Sequence, residues 1–394
     1  MEFIADLKTI AINEGIKNPV ITINQTSKTG EGFLGTYYIV NIHGTETRLS
    51  LFLKRPPKSN DEVVKESMRK IHLNEYLFYE NIYPEFIKFE FVRNEDNYFK
   101  SVPKCYKIIS NKNREVMILE NLRANGFRSY NRRQPFDDNH LELILDELAH
   151  FHAVSFAFKD QKPDRFKEIV KNVSWAASET IKEDYLETVW FLSKNVLEKL
   201  DSNTFFGYEV FKSHVDSIKE FLSFLDNFDG RFNVLNHGDL TLNNILFGYN
   251  EDDDDNPIRV SFLDWQLTKV TSPVIDLSYL IYGTCELKQM EKIDYFLNFY
   301  YNKLGFYINL LGSDLSMLYP KDDFDEEWRK FSRYGLALST IVIKLTFTDP
   351  DDVPLNNSEK KTMLESLSYK IKNEKKYIER IKCVINHFIE KKYL

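Results

Sequence analysis

The fold of this chain is decided by the stretch His237-Gly238-Asp239-Leu240-Thr241-Leu242-Asn243-Asn244-Ile245-Leu246-Phe247, followed after a polar segment by Val260-Ser261-Phe262-Leu263-Asp264-Trp265-Gln266. Two apolar runs, 245–249 and 258–263, flank the Asn- and Pro-containing segment 250–257, and this pattern predicts two strands joined by a hairpin loop. Antiparallel pairing brings the outer ends of such strands together. We therefore expect Asn244 and Asp264 to meet at one point, beside Asp239.

These three side chains are suited to phosphoryl transfer. Magnesium prefers oxygen ligands and commonly takes one or two carboxylates together with the phosphates of its substrate. In the kinase template, an Asp of the catalytic loop accepts the proton of the attacking hydroxyl, and an Asn five residues later holds a metal ion. Asp239 and Asn244 have that spacing. We predict Asp239 as the catalytic residue, and Asn244 and Asp264 as ligands of Mg²⁺.

The same segment resembles the ecdysteroid kinase-like family, within the kinase-like superfamily of aminoglycoside phosphotransferases and choline kinases. The pattern of that family has an HGD-x4-N-I-L loop, an Asp-aromatic-Gln where protein kinases have Asp-Phe-Gly, and a Ser-Pro-x-x-Asp-Leu block. Here these stand as residues 237–246, Asp264-Trp265-Gln266 and Ser272-Pro273-Val274-Ile275-Asp276-Leu277. The resemblance runs from about residue 30 to residue 285. It implies a bilobal protein-kinase-like fold and an ATP- and magnesium-dependent kinase that phosphorylates a hydroxyl of a small molecule.

Lys54 and Glu75 are predicted to form an ion pair in the nucleotide site. Lys54 ends the alternating apolar run 49–54, which two prolines terminate. Glu75 lies on the otherwise apolar face of a predicted helix, 60–82, where an unpaired charge would be unfavourable. In the kinase template a strand lysine contacts the phosphates and pairs with a helix glutamate. The alternative is a solvated lysine at a strand end, with Glu75 packed elsewhere.

Two backbone elements are further candidates for nucleotide binding. Gly30, Gly32 and Gly35 have the spacing of a glycine-rich loop and precede a β-rich run, although glycines also simply mark turns. Backbone N–H groups of such a loop could cap phosphates. The connector 119–122 follows a predicted strand, and the backbone of Glu120 and Leu122 is expected to contact adenine.

Asp276 and His237 are predicted to support the site. Asp276 opens an apolar helix, where it could be a first-turn acid, and the family resemblance implies instead a buried support for the catalytic loop. His237 is a general base by type. We assign it a structural role, because the neighbouring Asp239 already accounts for the chemistry.

The chain changes from β-rich to α-rich near residue 122. Strands are predicted before that point, and helical periodicity dominates after residue 125, with long helices expected at about 274–303 and 324–346. We therefore predict an α+β protein of two lobes. Residues 1–121 form a small nucleotide-binding lobe, and residues 122–394 form a large helical lobe that carries the catalytic loop and the acceptor site.

Composition disfavours several other function classes. A net charge of -8 and a pI near 5.6 disfavour a nucleic-acid partner, whose phosphates require a basic field. The three cysteines are far apart and form no zinc-binding pattern. We find no secretory signal and no apolar run of membrane-spanning length. We expect a cytoplasmic protein without a membrane span or an obligate protein partner.

The acceptor is expected to be a hydroxylated small molecule bound between residues 125–230 and 285–350. These regions are rich in aromatic residues, which suit a flat apolar ligand such as a steroid. The family resemblance points to an ecdysteroid or a related hydroxylated or foreign compound. Aromatic boxes also bind quaternary ammonium groups, so a choline-, ethanolamine- or aminoglycoside-type kinase is the first alternative. A kinase-like fold retained for binding alone is the second.

Overall fold

The computed structural model describes residues 3–25, 35–56, 62–93, 98–173, 179–250, 253–354 and 362–394. The helices are α1 (Ile4–Asn13), α2 (Glu62–Leu77), α3 (Tyr83–Phe91), α4 (Asp138–Gln161), α5 (Pro163–Val170), α6 (Glu179–Leu197), α7 (Tyr208–Asp226), α8 (Val274–Thr284), α9 (Leu287–Glu291), α10 (Ile293–Leu310), α11 (Leu315–Leu318), α12 (Lys321–Phe331), α13 (Arg333–Phe347), α14 (Met363–Leu367) and α15 (Glu374–Lys391). The strands are β1 (Val20–Gln25), β2 (Thr36–His43), β3 (Arg48–Arg55), β4 (Cys105–Ile109), β5 (Val116–Glu120), β6 (Phe127–Ser129), β7 (Val234–Asn236), β8 (Ile245–Asn250), β9 (Asp253–Phe262) and β10 (Lys269–Thr271).

The first lobe is built on a five-stranded antiparallel sheet with the order β1-β2-β3-β5-β4. Leu51 and Leu53 of β3 lie in an apolar core shared with α1, whose Leu7 and Ile10 are buried against the sheet. Successive side chains of a strand point to opposite faces. Lys54 therefore points to the other face of the sheet, toward α2.

The second lobe is helical, with α4 packed on α10 and α8 packed on α13 at its centre. A Cβ atom at Gly335 of α13 would lie only 2.2 Å from the carbonyl oxygen of Ser278 in α8. Only a glycine permits so close an approach of the two helix backbones. This contact aligns Tyr334, the residue before Gly335, with Tyr279 of α8.

The predicted hairpin is present, with a longer second strand than expected. Ile245 of β8 lies opposite Phe262 of β9, so the outer ends of the two strands meet. β9 begins at Asp253, so residues 253–257, predicted as loop, belong to the strand. β9 is an edge strand of the sheet β6-β8-β9, and Asp255 and Asn256 are exposed there, which is where polar residues are tolerated in a sheet.

Both long helices predicted for the second lobe are interrupted. The stretch 274–303 divides into α8, α9 and α10, because Cys285 is extended (φ -87°, ψ 151°) and Glu286 begins a capping box for α9. The stretch 324–346 divides into α12 and α13 at Ser332. None of the described helices combines the length and apolarity that a membrane crossing requires.

The two lobes share packing across the predicted boundary. Helix α3 precedes residue 122, yet its Phe86 and Phe89 pack against Phe158 of α4. Residues of α3 thus contribute to the core of the helical lobe. The division of the chain at 121/122 stays a prediction.

Candidate active site

The loop that carries Asp239 is fixed by its own backbone and by a buried carboxylate. Gly238 has φ +84°, and a Cβ there would lie 2.0 Å from the carbonyl oxygen of Leu267. Asp276 of α8 is fully buried and accepts hydrogen bonds from the backbone N–H groups of His237 (2.6 Å) and Gly238 (2.9 Å). Asp276 also lies in the first turn of α8, so it is both a first-turn acid and a buried support for the loop.

His237 ties the loop to the strand that precedes Asp264. Its Nε2 donates to the carbonyl oxygen of Leu263 (2.9 Å), and its Nδ1 accepts from the backbone N–H of Asp239 (3.2 Å). Burial lowers the pKa of His237, which favours the neutral ring that this pair of bonds requires. Because both ring nitrogens are engaged in the framework, His237 is placed as a structural residue.

Asp239 is oriented by two side chains, one on each carboxylate oxygen. The Asn244 amide donates from Nδ2 to Oδ2 of Asp239 (2.9 Å), and the Tyr279 hydroxyl donates to Oδ1 (3.0 Å). Burial, followed by the nearby charge of Asp264, raises the pKa of Asp239 to about 7. A carboxyl group whose pKa lies near neutrality is suited to accept a proton from a hydroxyl.

The side chains present around Asn244 and Asp264 fit a magnesium ion. Nδ2 of Asn244 is directed to the backbone and side chain of Asp239, which leaves its Oδ1 as the oxygen available to a cation. The backbone N–H of Leu263 donates to the carbonyl oxygen of Asn244 (2.8 Å). Asp264 is the next residue after Leu263 and therefore lies beside Asn244. The described residues hold no cluster of three or more His, Cys, Asp or Glu side chains that could bind a metal. Mg²⁺ does not need one, since phosphate oxygens and water complete its shell.

Lys54 lies between two carboxylates at the junction of the lobes. Its Nζ is 2.7 Å from Oε2 of Glu75 and 2.6 Å from Oδ1 of Asp264, and the Lys54 and Glu75 side chains are 5% and 1% exposed. Burial alone would lower the pKa of Lys54, but the charges of Asp264 and Glu75 outweigh burial and raise it above its ordinary value. The lysine is therefore a fixed positive charge beside the predicted magnesium ligand.

Helix α2 and the helical turn that follows it, Phe78–Ile82, also hold the segment after Asp264. Asn74 donates from Nδ2 to the carbonyl oxygens of Gln266 and Thr268, at 2.9 Å each. The ring of Phe78 stacks on Trp265 with centroids 3.9 Å apart and planes 5° from parallel. Asp264 itself has φ 65° and ψ 68°, a left-handed conformation that the surrounding contacts must maintain.

Replacing Trp265 with alanine is expected to lower the free energy of unfolding by about 3–5 kcal/mol, because a fully buried aromatic side chain leaves a cavity. Urea unfolding followed by circular dichroism measures this change. The matched control is Phe206→Ala, since Phe206 is 92% exposed and its removal should change stability by less than about 0.5 kcal/mol. Equal small losses for the two variants would contradict the packing described for Trp265.

The remaining predicted nucleotide contacts are only partly within the described residues. Gly30 and Gly32 lie outside them. Gly35 stands just before β2, where an added Cβ atom would lie 3.0 Å from the carbonyl oxygen of Arg55. Glu120 is the last residue of β5, and Leu122 opens a short 3₁₀ turn that leads into the second lobe. These positions suit a connector, and their contact with adenine stays a prediction.

Comparison with known proteins identifies the family. The model of the ecdysteroid kinase-like family matches residues 29–313, a stretch that contains every predicted site residue. The chain belongs to the ecdysteroid kinase-like family. As a member, it is a small-molecule phosphotransferase, and its fold is the α+β arrangement described above, with a sheet-based first lobe and a helical second lobe.

Solved structures resemble this ecdysteroid kinase-like protein at low identity. An ethanolamine kinase of Plasmodium vivax is 13% identical, with 94% of this chain and 83% of that chain covered and a TM-score of 0.46. A GDP complex of a variant aminoglycoside 2′-phosphotransferase IIIa is 11% identical, with 99% and 98% covered and a TM-score of 0.46. A glucosamine kinase is 10% identical, with 96% and 95% covered and a TM-score of 0.33. At such low identities and TM-scores, these structures do not indicate which acceptor this protein uses. No curated protein matches the chain.

Proposed function

We propose that this protein transfers the γ-phosphate of ATP, in the presence of Mg²⁺, to a hydroxyl of an ecdysteroid or another hydroxylated, steroid-like or foreign compound. The observation that carries the proposal is that two groups of side chains meet at the junction of the lobes. Lys54 contacts Glu75 and Asp264. Asn244 bonds to Asp239, and its backbone is bonded to Leu263, the residue before Asp264. Each of these groups has a counterpart in the kinase template of phosphoryl transfer.

Each side chain has a task that follows from its position. Lys54, held by Glu75, would contact the phosphates of the nucleotide, and Asn244 and Asp264 would hold the metal ion. When bound, Mg²⁺ neutralises charge on the phosphates and orients them for in-line transfer. Asp239, fixed by Asn244 and Tyr279, would orient the acceptor hydroxyl and take its proton.

Two rival functions remain. One is a kinase that acts on a different acceptor, and the other is a binding protein that does not turn over ATP. A choline-, ethanolamine- or aminoglycoside-type kinase would use the same phosphate site with an amine-bearing alcohol. A silent binding protein would not need the complete set of charged groups that this site retains. We place the activity in the cytoplasm, where ATP is available, and the three unpaired cysteines are consistent with a reducing compartment.

A mass-spectrometric screen of a hydroxylated metabolite library with ATP and Mg²⁺ tests the proposal. We expect one or more hydroxylated compounds to gain a phosphate group, and omission of Mg²⁺ or chelation by EDTA to abolish that gain. Transfer only to amine-bearing alcohols would favour the rival kinases. If the nucleotide bound but no library member gained phosphate above the enzyme-free control, the proposal of a kinase for this chemistry would be wrong.

A further inference from the structure

A buried glutamine two residues after Asp264 reaches back to this predicted magnesium ligand. Gln266 is 3% exposed, and its Nε2 donates a hydrogen bond to Oδ2 of Asp264 (3.3 Å). In the sequence, Gln266 stands where protein kinases have the glycine of Asp-Phe-Gly. Because a glycine has no side chain, it cannot make this contact. The bond is therefore specific to the Asp-aromatic-Gln pattern of this chain.

The two oxygens of the Asp264 carboxylate have partners of different kinds. Oδ1 lies 2.6 Å from Nζ of Lys54, whereas Oδ2 accepts from Gln266. Nζ of Lys54 also lies 2.7 Å from Glu75, and the phosphates of a nucleotide are its expected partners in the proposed reaction. Lys54 can therefore leave Oδ1 without becoming an unpaired charge. The side chain of Gln266 makes no other hydrogen bond to a described residue, so Oδ2 should stay engaged when Oδ1 becomes available.

The donor on Gln266 is held in place through the backbone. The carbonyl oxygen of Gln266 accepts a hydrogen bond from Nδ2 of Asn74 (2.9 Å). The preceding residue, Trp265, is fully buried and stacks on Phe78, and the short 3₁₀ turn Trp265–Leu267 contains Gln266 itself. The amide is thus a fixed group beside Asp264, since its backbone is anchored on both sides.

The other end of the same amide is in an unfavourable environment. Oε1 of Gln266 is buried and accepts no hydrogen bond from any described residue. The reverse orientation of the amide would place Oε1 against Oδ2 of Asp264, and neither oxygen could donate a proton to the other. A buried carbonyl oxygen without a donor destabilises the folded state, and an apolar side chain of similar size avoids that penalty. Stability therefore does not explain a glutamine at this position, and its contact with Asp264 does.

We propose that Gln266 is a positioning residue for magnesium, whose amide holds Oδ2 of Asp264 so that Oδ1 is the oxygen presented to the ion. This inference rests on the proposed function and deepens it, because it names the residue that orients a metal ligand. Groups that hydrogen-bond to metal ligands fix the orientation of those ligands, and their loss weakens metal binding by about 10–100-fold.

The test replaces Gln266 with methionine, which has a similar length and no amide. Calorimetric titrations with ATP give the affinity with and without Mg²⁺, and the ratio of the two affinities should fall by about tenfold or more from its wild-type value. Urea unfolding should show an unchanged or higher midpoint, because the unpaired Oε1 is removed. Gln266→Leu also lacks the donor, and it should lower the affinity ratio in the same way.

Gln289→Met is the matched control, because Gln289 is a buried glutamine with both ends of its amide bonded. Gln289 is 5% exposed, its Nε2 donates to the carbonyl oxygen of Phe136 (3.0 Å), and its Oε1 accepts from the backbone N–H of Glu286 (3.2 Å). This variant should unfold at a lower urea concentration and keep the wild-type response to Mg²⁺. Stability and the response to Mg²⁺ should thus separate between Gln266→Met and Gln289→Met.

Two results would overturn the inference and leave phosphoryl transfer intact. One is a wild-type response to Mg²⁺ in both Gln266 variants. The other is an equal loss of that response in Gln266→Met and Gln289→Met, since the loss would then follow from any disturbed buried amide. A wild-type protein that binds ATP equally well with and without Mg²⁺ would instead contradict the magnesium-dependent function itself, and the inference with it.

Discussion

Replacing Asp239 with asparagine is expected to lower kcat by about 10²–10⁴-fold, the usual contribution of a positioned general base. The amide keeps the size of the carboxylate and can still bond to Tyr279 or Asn244, so the loop should keep its structure. An amide cannot accept the proton of the acceptor hydroxyl. Steady-state turnover, measured with the acceptor from the screen, reports the loss.

Two further measurements separate this effect from misfolding. The affinity for ATP with Mg²⁺, measured by calorimetry, should stay near the wild-type value, because Lys54 and Asp264 are unchanged. The matched control is Asp216→Asn on the exposed surface of α7, which should leave kcat unchanged. An Asp239→Asn protein that turns over near the wild-type rate would show that the proton is accepted elsewhere.

Replacing Asp264 with asparagine should abolish the benefit of Mg²⁺ to nucleotide binding. Asparagine tolerates the left-handed conformation that Asp264 adopts better than most residues do, so this variant removes the charge without forcing the backbone to change. Loss of a carboxylate from a metal site weakens metal binding, here by at least about tenfold, since even supporting residues of such sites contribute 10–100-fold.

Calorimetric titration of ATP with and without Mg²⁺ measures this effect. In the wild-type protein Mg²⁺ should tighten ATP binding, and in Asp264→Asn the two titrations should converge. The metal-free titration is an internal control. Without Mg²⁺ the two proteins should bind ATP with similar affinity, because the substitution then changes only the contact between Lys54 and residue 264. An undiminished response to Mg²⁺ in the variant would contradict the metal role of Asp264.

The parts of the site that could be predicted from the sequence are those fixed by short spacing. Asp239 and Asn244 are five residues apart. The hairpin brings Asp264 close to them because Ile245 pairs with Phe262 at the outer ends of the two strands. Lys54 and Glu75 were predicted as a pair because each stood out locally, one at a strand end and one on an apolar helix face. The structure brings them within 2.7 Å.

The parts that could not be predicted depend on contacts between distant elements. Tyr279 follows Asp276 by one helical turn, yet its bond to Asp239 depends on how α8 packs under the catalytic loop. Asn74 and Trp265 carry no local signal for their contacts, which join α2 and the turn after it to the segment that follows Asp264. The break at Cys285 has no proline or glycine at that residue to mark it, so periodicity alone extended α8 too far.

The most direct test of the central claim is a crystal structure with Mg²⁺ and a non-hydrolysable ATP analogue. The account predicts one Mg²⁺ within about 2.0–2.1 Å of Oδ1 of Asn244 and of a carboxylate oxygen of Asp264. It also predicts Lys54 on the phosphates and the Asp239 carboxylate facing the γ-phosphate. A metal ion held away from Asn244 and Asp264, or a nucleotide bound outside the junction of the two lobes, would contradict it.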